Sequence, residues 1–267
     1  MGDTRIELNG EPIDVDGLRV PALLNYGHFT SMQVHDGGVR GLDRHLARLE
    51  RATPELFGCA LDVAATRGWM RGIVGADPAP LTLRVSVFSR ALDRDRPGRP
   101  AAPDVLVARS PARALAPTPL RVRSVRYQRE VPHIKHVGTF GLFHQKRQAQ
   151  LHGFDDALFV DPTGAVAEGS VWNIGFFDGT CVTWPDAPAL DGISMQLLKA
   201  GLHALGVESS TRRIGLDEIA GFRSAFFTNA SCVAMPIACI DAVPFAADAE
   251  LDALLAAAIG TQPWQRL

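Results

Sequence analysis

Lysine is scarce in this chain of 267 residues: Lys135, Lys146 and Lys199 stand among 27 lysines and arginines in all. Arginine therefore carries most of the basic charge, and the formal net charge is only −2. Without a basic excess, neither nucleic acid nor an anionic membrane surface is the expected main partner. The opening MGDTRIELNG holds no apolar run of signal-peptide length, and no later stretch approaches a membrane span. Four cysteines, at 59, 181, 232 and 239, show no CxxC spacing. They fit small core residues in a reduced, cytoplasmic setting. Also missing are GxxxxGK[ST] and GxGxxG, which leaves nucleotide binding without a foothold.

What remains is ordinary globular material. Hydrophobic residues make up 46% and charged residues 21%, enough apolar side chain for a sizeable core. Alternating or continuously apolar strands are expected over 30–34, 81–88, 104–108, 120–127, 173–177 and 224–228. Helical spacing marks Leu42, Leu46 and Leu49, with Pro54 as the expected stop, and also residues 61–74, 142–151, 194–205 and 251–259. Hairpins are expected around Pro162-Thr163-Gly164 and Asp178-Gly179. The run PARALAPTP over 111–119 carries three prolines and suits a linker. The expected organisation is a small α/β domain over 1–112, a linker over 113–119 and a larger α/β domain over 120–267, with a cleft between the two.

Several residue groups could carry chemistry. Lys135 lies in Val131-Pro132-His133-Ile134-Lys135-His136, where Ile134, Val137 and Phe140 could exclude water and leave the amine neutral part of the time. On its own a lone lysine is more often a solvated surface charge. Glu168 follows a hairpin turn at the end of an apolar strand, where an unpaired carboxylate is costly. It could face a pyridinium nitrogen, cap a turn or pair with an arginine. Gly192-Ile193-Ser194 opens a helix whose N–H groups suit a phosphate, although Ser194 also suits a plain N-cap. The segment Thr228-Asn229-Ala230-Ser231 follows a buried strand with small residues that permit close backbone approach. Arg48, nearly one helical turn after His45, could fork onto phosphate oxygens or lie in solvent. His133 and His136 with His144 or His152 raise a zinc alternative, against which Pro132 disfavours a regular helix.

Taken in order, these pieces resemble the class IV pyridoxal-phosphate enzymes: branched-chain and D-amino acid aminotransferases and 4-amino-4-deoxychorismate lyases. The resemblance is carried by His45–Leu49, by Ile134-Lys135-His136 and by Glu168-Gly169-Ser170 through Asn173. Thr183-Trp184-Pro185, Leu190-Asp191-Gly192-Ile193 and Asn229-Ala230 complete it. It implies a two-domain fold type IV enzyme, α/β (α+β), with pyridoxal 5′-phosphate in the interdomain cleft. Lys135 would bear the internal aldimine and shuttle the proton. Glu168 would hold the pyridine nitrogen, and Arg48, the Ile193 and Ser194 amides and the Asn229–Ala230 turn would hold phosphate, with Asn173 in the cofactor set. A homodimer is implied, along with a small-molecule amino donor and a keto-acid acceptor; no metal is.

Some positions depart from the family pattern. Phe140 stands where branched-chain enzymes carry a tyrosine near the cofactor hydroxyl. Arg94-Asp95-Arg96 lacks the histidine of the D-amino acid enzymes. Tyr26 and His28 are not standard, whereas Phe29-Thr30-Ser31 is similar to the lyases. Tyr26, His28, Thr30 and Phe140 are thus the substrate-side candidates. The expected activity is amino transfer. A lyase releasing pyruvate is the alternative, and a non-catalytic binding protein is the reading from another class.

Overall fold

The structure is a computed structural model and describes residues 4–76, 78–112 and 118–267. Most of the expected linker therefore falls outside the described residues. The chain divides into two compact units: Met1–Ala114 with Ile134–Gly138 and Pro263–Leu267, and Leu115–His133 with Thr139–Gln262.

The first unit contains β1 (Arg5–Leu8), β2 (Glu11–Pro12), α1 (Val15–Leu23), β3 (His28–Val34), β4 (Gly38–Arg40), α2 (Leu42–Phe57), α3 (Val63–Val74), β5 (Leu81–Phe88) and β6 (Asp104–Pro111). Its main sheet is antiparallel in the order β2-β1-β6-β5-β3. Period-two patterning is plain in β5: Leu81, Leu83, Val85 and Val87 are buried, while Thr82, Arg84 and Ser86 are half-buried. The buried set packs with Met32, Leu46, Leu49, Phe57 and Met70 as the core of this unit. The C-terminal strand Trp264–Arg266 pairs with β4.

Pro54 does not end α2 as expected; the helix runs on to Phe57. Only one N–H is lost at Pro54, and its carbonyl still accepts from the N–H of Gly58. Gly58 is the actual stop, at φ 65°, a conformation that glycine adopts without a Cβ penalty. Asp62 caps α3 by accepting from the Ala65 N–H at 2.8 Å.

The second unit contains β7 (Leu120–Arg126), α4 (Phe140–Leu151), β8 (Asp156–Val160), β9 (Val166–Gly169), β10 (Asn173–Phe177), β11 (Val182–Pro185), α5 (Ile193–Ala204), β12 (Ser209–Arg212), β13 (Ser224–Asn229), β14 (Cys232–Ile240), β15 (Val243–Pro244) and α6 (Ala249–Gly260). The sheet runs β12-β11-β10-β13-β14-β7-β8-β9, and β9 pairs back onto β10, closing six strands into a barrel. Ile174, Phe176, Ala225 and Phe227 belong to one buried cluster with Val122, Leu158 and Val166. Phe177 and Phe226, on the opposite strand faces, pack with α5 and α6. No helix among the described residues is long and apolar enough to cross a membrane.

Candidate active site

Two groups of predicted residues are assembled, one in each unit. In the first, His28 and Thr30 are fully buried on the face of β3 that meets α2. Thr30 Oγ1 accepts from Arg48 Nη2 and lies 2.6 Å from His45 Nδ1. Burial, then Arg48 and Lys135, hold the His45 pKa well below the usual imidazole range, in keeping with a neutral ring. Arg48, itself only 7% exposed, is thus fixed by a buried chain from Arg48 to Thr30 to His45. A buried guanidinium on a rigid helix is suited to forked binding of an anion.

His28 extends this neutral layer. Thr53 Oγ1 donates to the Leu49 carbonyl at 2.8 Å, so it accepts from His28 Nε2 at 3.1 Å. Burial first, then Arg48, lowers the His28 pKa from 6.5 to about 4. The unfolded chain takes up this proton below pH 6.5, whereas the folded ring resists until about pH 4. Stability is therefore full above pH 6.5 and drains as pH falls toward 4, by about 3 kcal/mol from this ring alone. Urea unfolding on either side of that window should show the slope, and His28→Asn should flatten it. An unchanged slope would place the proton uptake elsewhere.

Lys135 belongs to the same unit. Phe29 N–H donates to the Lys135 carbonyl and Val137 N–H to the Gly27 carbonyl, both at 2.9 Å, and His28 bridges His136. The segment therefore lies antiparallel along the start of β3. Ile134 is buried beneath it, and Lys135, half-buried, places Nζ 5.0 Å from the Phe29 ring centroid. The Arg84 guanidinium sits 3.6 Å from the same ring. The amine thus sits half-buried beside an aromatic ring, with a guanidinium on the same ring.

In the second unit Glu168 pairs across to Asn173, and Asn173 to Thr228, so the three form one row over β9, β10 and β13. Val166 faces the barrel interior, yet Glu168 shares the opposite face with Asn173. A one-residue register slip between β8 and β9 takes up the difference, a bulge that re-aims the carboxylate. Glu168 is 4% exposed; its Oε2 accepts from Leu190 N–H at 3.2 Å and its Oε1 lies 3.6 Å from Arg129 Nη1. Asn173 Nδ2 donates to the Leu190 carbonyl at 2.8 Å.

The helix α5 starts one residue earlier than expected, with Gly192 as its N-cap and no side chain to cap it. Ser194 is therefore not the cap. Its hydroxyl donates to the Asn229 carbonyl at 2.8 Å and ties α5 to the β13–β14 turn. Asn229 Oδ1 shapes that turn by accepting from the Ser231 and Cys232 amides, both at 2.9 Å. The two expected phosphate-binding segments, 193–194 and 229–230, are thus held together. At the end of the row, Thr228 Oγ1 is buried without a hydrogen-bond partner, as is Ser170 Oγ. An unpartnered hydroxyl at Thr228, next to the Asn229 turn tied to an uncapped helix N-terminus, is what a phosphate-bearing ligand would satisfy.

Gly192 is required for space here. A Cβ on it would come 2.0 Å from Asn173 Oδ1, which the Leu190 contact holds in place. We expect Gly192→Ala to destabilise the protein by about 1–3 kcal/mol and to weaken phosphate binding. Thermal unfolding with and without inorganic phosphate checks both; a fully wild-type response would contradict the packing argument.

Two candidates lie elsewhere. Phe140, expected to dry the lysine, is the first residue of α4 in the second unit, 80% exposed and stacked on His144 at 5.6 Å. Tyr26 donates to the Leu56 carbonyl at 3.2 Å and lines a groove of about 370 Å³ with Phe57, Pro97 and Arg99. Sequence reasoning does not single out Arg129, one arginine among many. Nor does it single out Arg84, whose place on the polar face of an alternating strand is the available signal. Among the described residues no three His, Cys, Asp or Glu gather as a metal site.

Comparison with known proteins bears directly on this arrangement. The model of the family "Amino-transferase class IV" matches residues 27–240. A probable branched-chain-amino-acid aminotransferase of Rickettsia bellii is 35% identical over 97 residues, covering 36% of this chain and 34% of the relative. The aminodeoxychorismate lyase of Bacillus subtilis is 28% identical over 92 residues, 34% of this chain and 31% of the relative. The matched stretches thus span about a third of these curated relatives. Among solved structures, the Escherichia coli branched-chain amino acid aminotransferase superposes with a TM-score of 0.83 at 16% identity, over 96% of this chain and 92% of that one. A hypothetical aminotransferase from Mycobacterium tuberculosis, in its PLP-bound form, gives 0.80 at 19% identity over 96% and 99%. The mixed helix-and-strand fold is that of fold-type IV aminotransferases. With a family model covering most of its length, the chain belongs to the class IV aminotransferases.

Proposed function

We propose that the protein is a pyridoxal-phosphate-dependent aminotransferase, moving an amino group between an amino acid or amine and a keto acid, as a cytoplasmic homodimer. The observation that carries this is Lys135: one of three lysines, half-buried in a segment laid along β3 and facing the Phe29 ring. In this reading Lys135 binds the cofactor through Nζ and moves the proton at the amine-bearing carbon. Arg48, the amides of Ile193 and Ser194 and the Asn229–Ala230 turn hold phosphate. Glu168 holds the ring nitrogen, and Asn173 fixes the Leu190 backbone that donates to Glu168. The bound cofactor supplies an electron sink for the carbon that carries the amine. Within the second unit, the uncapped α5 N-terminus and the unpartnered, buried Thr228 hydroxyl fit a phosphate.

A second reading, a lyase that releases pyruvate, is favoured by Ile134-Lys135-His136 and by the similarity to the Bacillus subtilis lyase. One pair of assays separates them. Keto-acid-dependent amino transfer across a panel of donors is the expected result. Pyruvate release from aminodeoxychorismate without a keto-acid acceptor would favour the lyase instead. Failure of both, with no absorbance change on adding pyridoxal phosphate, would defeat the proposal.

A further inference from the structure

Arg129 stands just beyond β7 and is 6% exposed, a rare state for an arginine without a charge to meet. Its Nη1 is 3.6 Å from Glu168 Oε1, and both side chains are 5% exposed. A carboxylate this deeply buried takes up a proton unless a positive charge compensates it. The Leu190 N–H on Oε2 contributes only a dipole, whereas the guanidinium supplies a full countercharge.

We propose that Arg129 is a positioning residue: it keeps Glu168 ionised and oriented before any ligand arrives, so that the carboxylate meets a ring nitrogen as an anion. The inference rests on the reading that Glu168 faces the nitrogen of pyridoxal phosphate. Two further titratable groups share this neighbourhood. Tyr127 has its pKa raised, by burial first, and is influenced by Arg129, Glu130 and Glu168. It therefore stays neutral around neutral pH, and Glu130 is exposed and of the wrong sign. Neither can replace the guanidinium.

The test is equilibrium binding of pyridoxal phosphate to the full-length protein, followed by absorbance from mildly acid to mildly alkaline pH. The variants are Arg129→Lys, Arg129→Gln and Glu168→Gln, with the double variant Arg129→Gln/Glu168→Gln. Arg129→Lys keeps the charge and should retain the wild-type pH profile. Arg129→Gln should weaken binding about tenfold or more at the acid end, where Glu168 is then protonated, and recover as pH rises. In the Glu168→Gln background the same Arg129→Gln change should alter the dissociation constant by less than about twofold. Equal losses for Lys and Gln, or a loss of the same size in both backgrounds, would reduce Arg129 to a packing role and overturn the proposal. If Arg129→Gln does not fold, Arg129→Lys decides: a pH profile displaced from wild type overturns the proposal, and an unchanged one supports it. Failure of the underlying reading looks different, because wild-type protein would then bind no cofactor that borohydride fixes to Lys135.

Discussion

Lys135→Ala is expected to abolish borohydride-dependent attachment of pyridoxal phosphate and to lower kcat by at least about 10³-fold. The size follows from two roles lost together: the amine that binds the cofactor and the base that moves a proton. Neither neighbour can substitute. His45 is neutral and committed through Nδ1 to Thr30, and Arg84 is a guanidinium stacked on Phe29. The change should spare the fold, because the segment is held by backbone hydrogen bonds at Phe29 and Val137 and by the burial of Ile134. Peptide mass mapping after reduction, with turnover of the same sample, is the check. Attachment at Lys146 or Lys199 would refute the assignment. Lys146 pairs with Asp156 at 2.7 Å and is not expected to react, whereas Lys199, half-buried beside Trp184 with its pKa lowered by burial, is the competing amine that the mapping must exclude.

Glu168→Gln is expected to lower kcat by about 10²–10³-fold while leaving much of the phosphate affinity intact. The amide keeps the shape of the carboxylate but cannot carry charge opposite a ring nitrogen. Loss of charge also weakens the buried pair with Arg129, so thermal stability should drop. The two effects can be told apart. Arg129→Gln in the same chain should change stability further without restoring turnover. A Glu168→Gln enzyme within about threefold of wild-type kcat would mean that the carboxylate serves structure alone.

Much of this is legible in the residues themselves, for reasons that differ from place to place. Strands such as β5 are announced by alternation, because one sheet face is buried and the other is not. The start of α5 differs from its expected place by one residue because Ser194 looks like a cap by type. Only the structure reveals that its hydroxyl is used on Asn229. Pro54 suggests a stop because a proline removes one helical hydrogen bond; the glycine four residues later closes the helix instead. The helix α1, with weak amphipathic patterning and a proline inside it, gives no signal, although Asp14 caps it by accepting from the Gly17 N–H. Phe140 shows the limit of proximity along a chain: five residues from Lys135, it faces solvent at the first turn of α4.

Residue type and order alone determined the chemistry on offer: three lysines, a glutamate after an apolar strand, a glycine opening a helix and an arginine one turn past a histidine. These are local properties, set by what each side chain can donate, accept or bury. The tertiary structure decided which of them meet. It drew Lys135 out of the stretch that follows the linker and laid it along β3. It turned Glu168 outward through a bulge and set Arg129 beside it from just past the end of a much earlier strand. Such meetings depend on strand register and on which buried charges must be compensated, and both are settled only when distant segments pack.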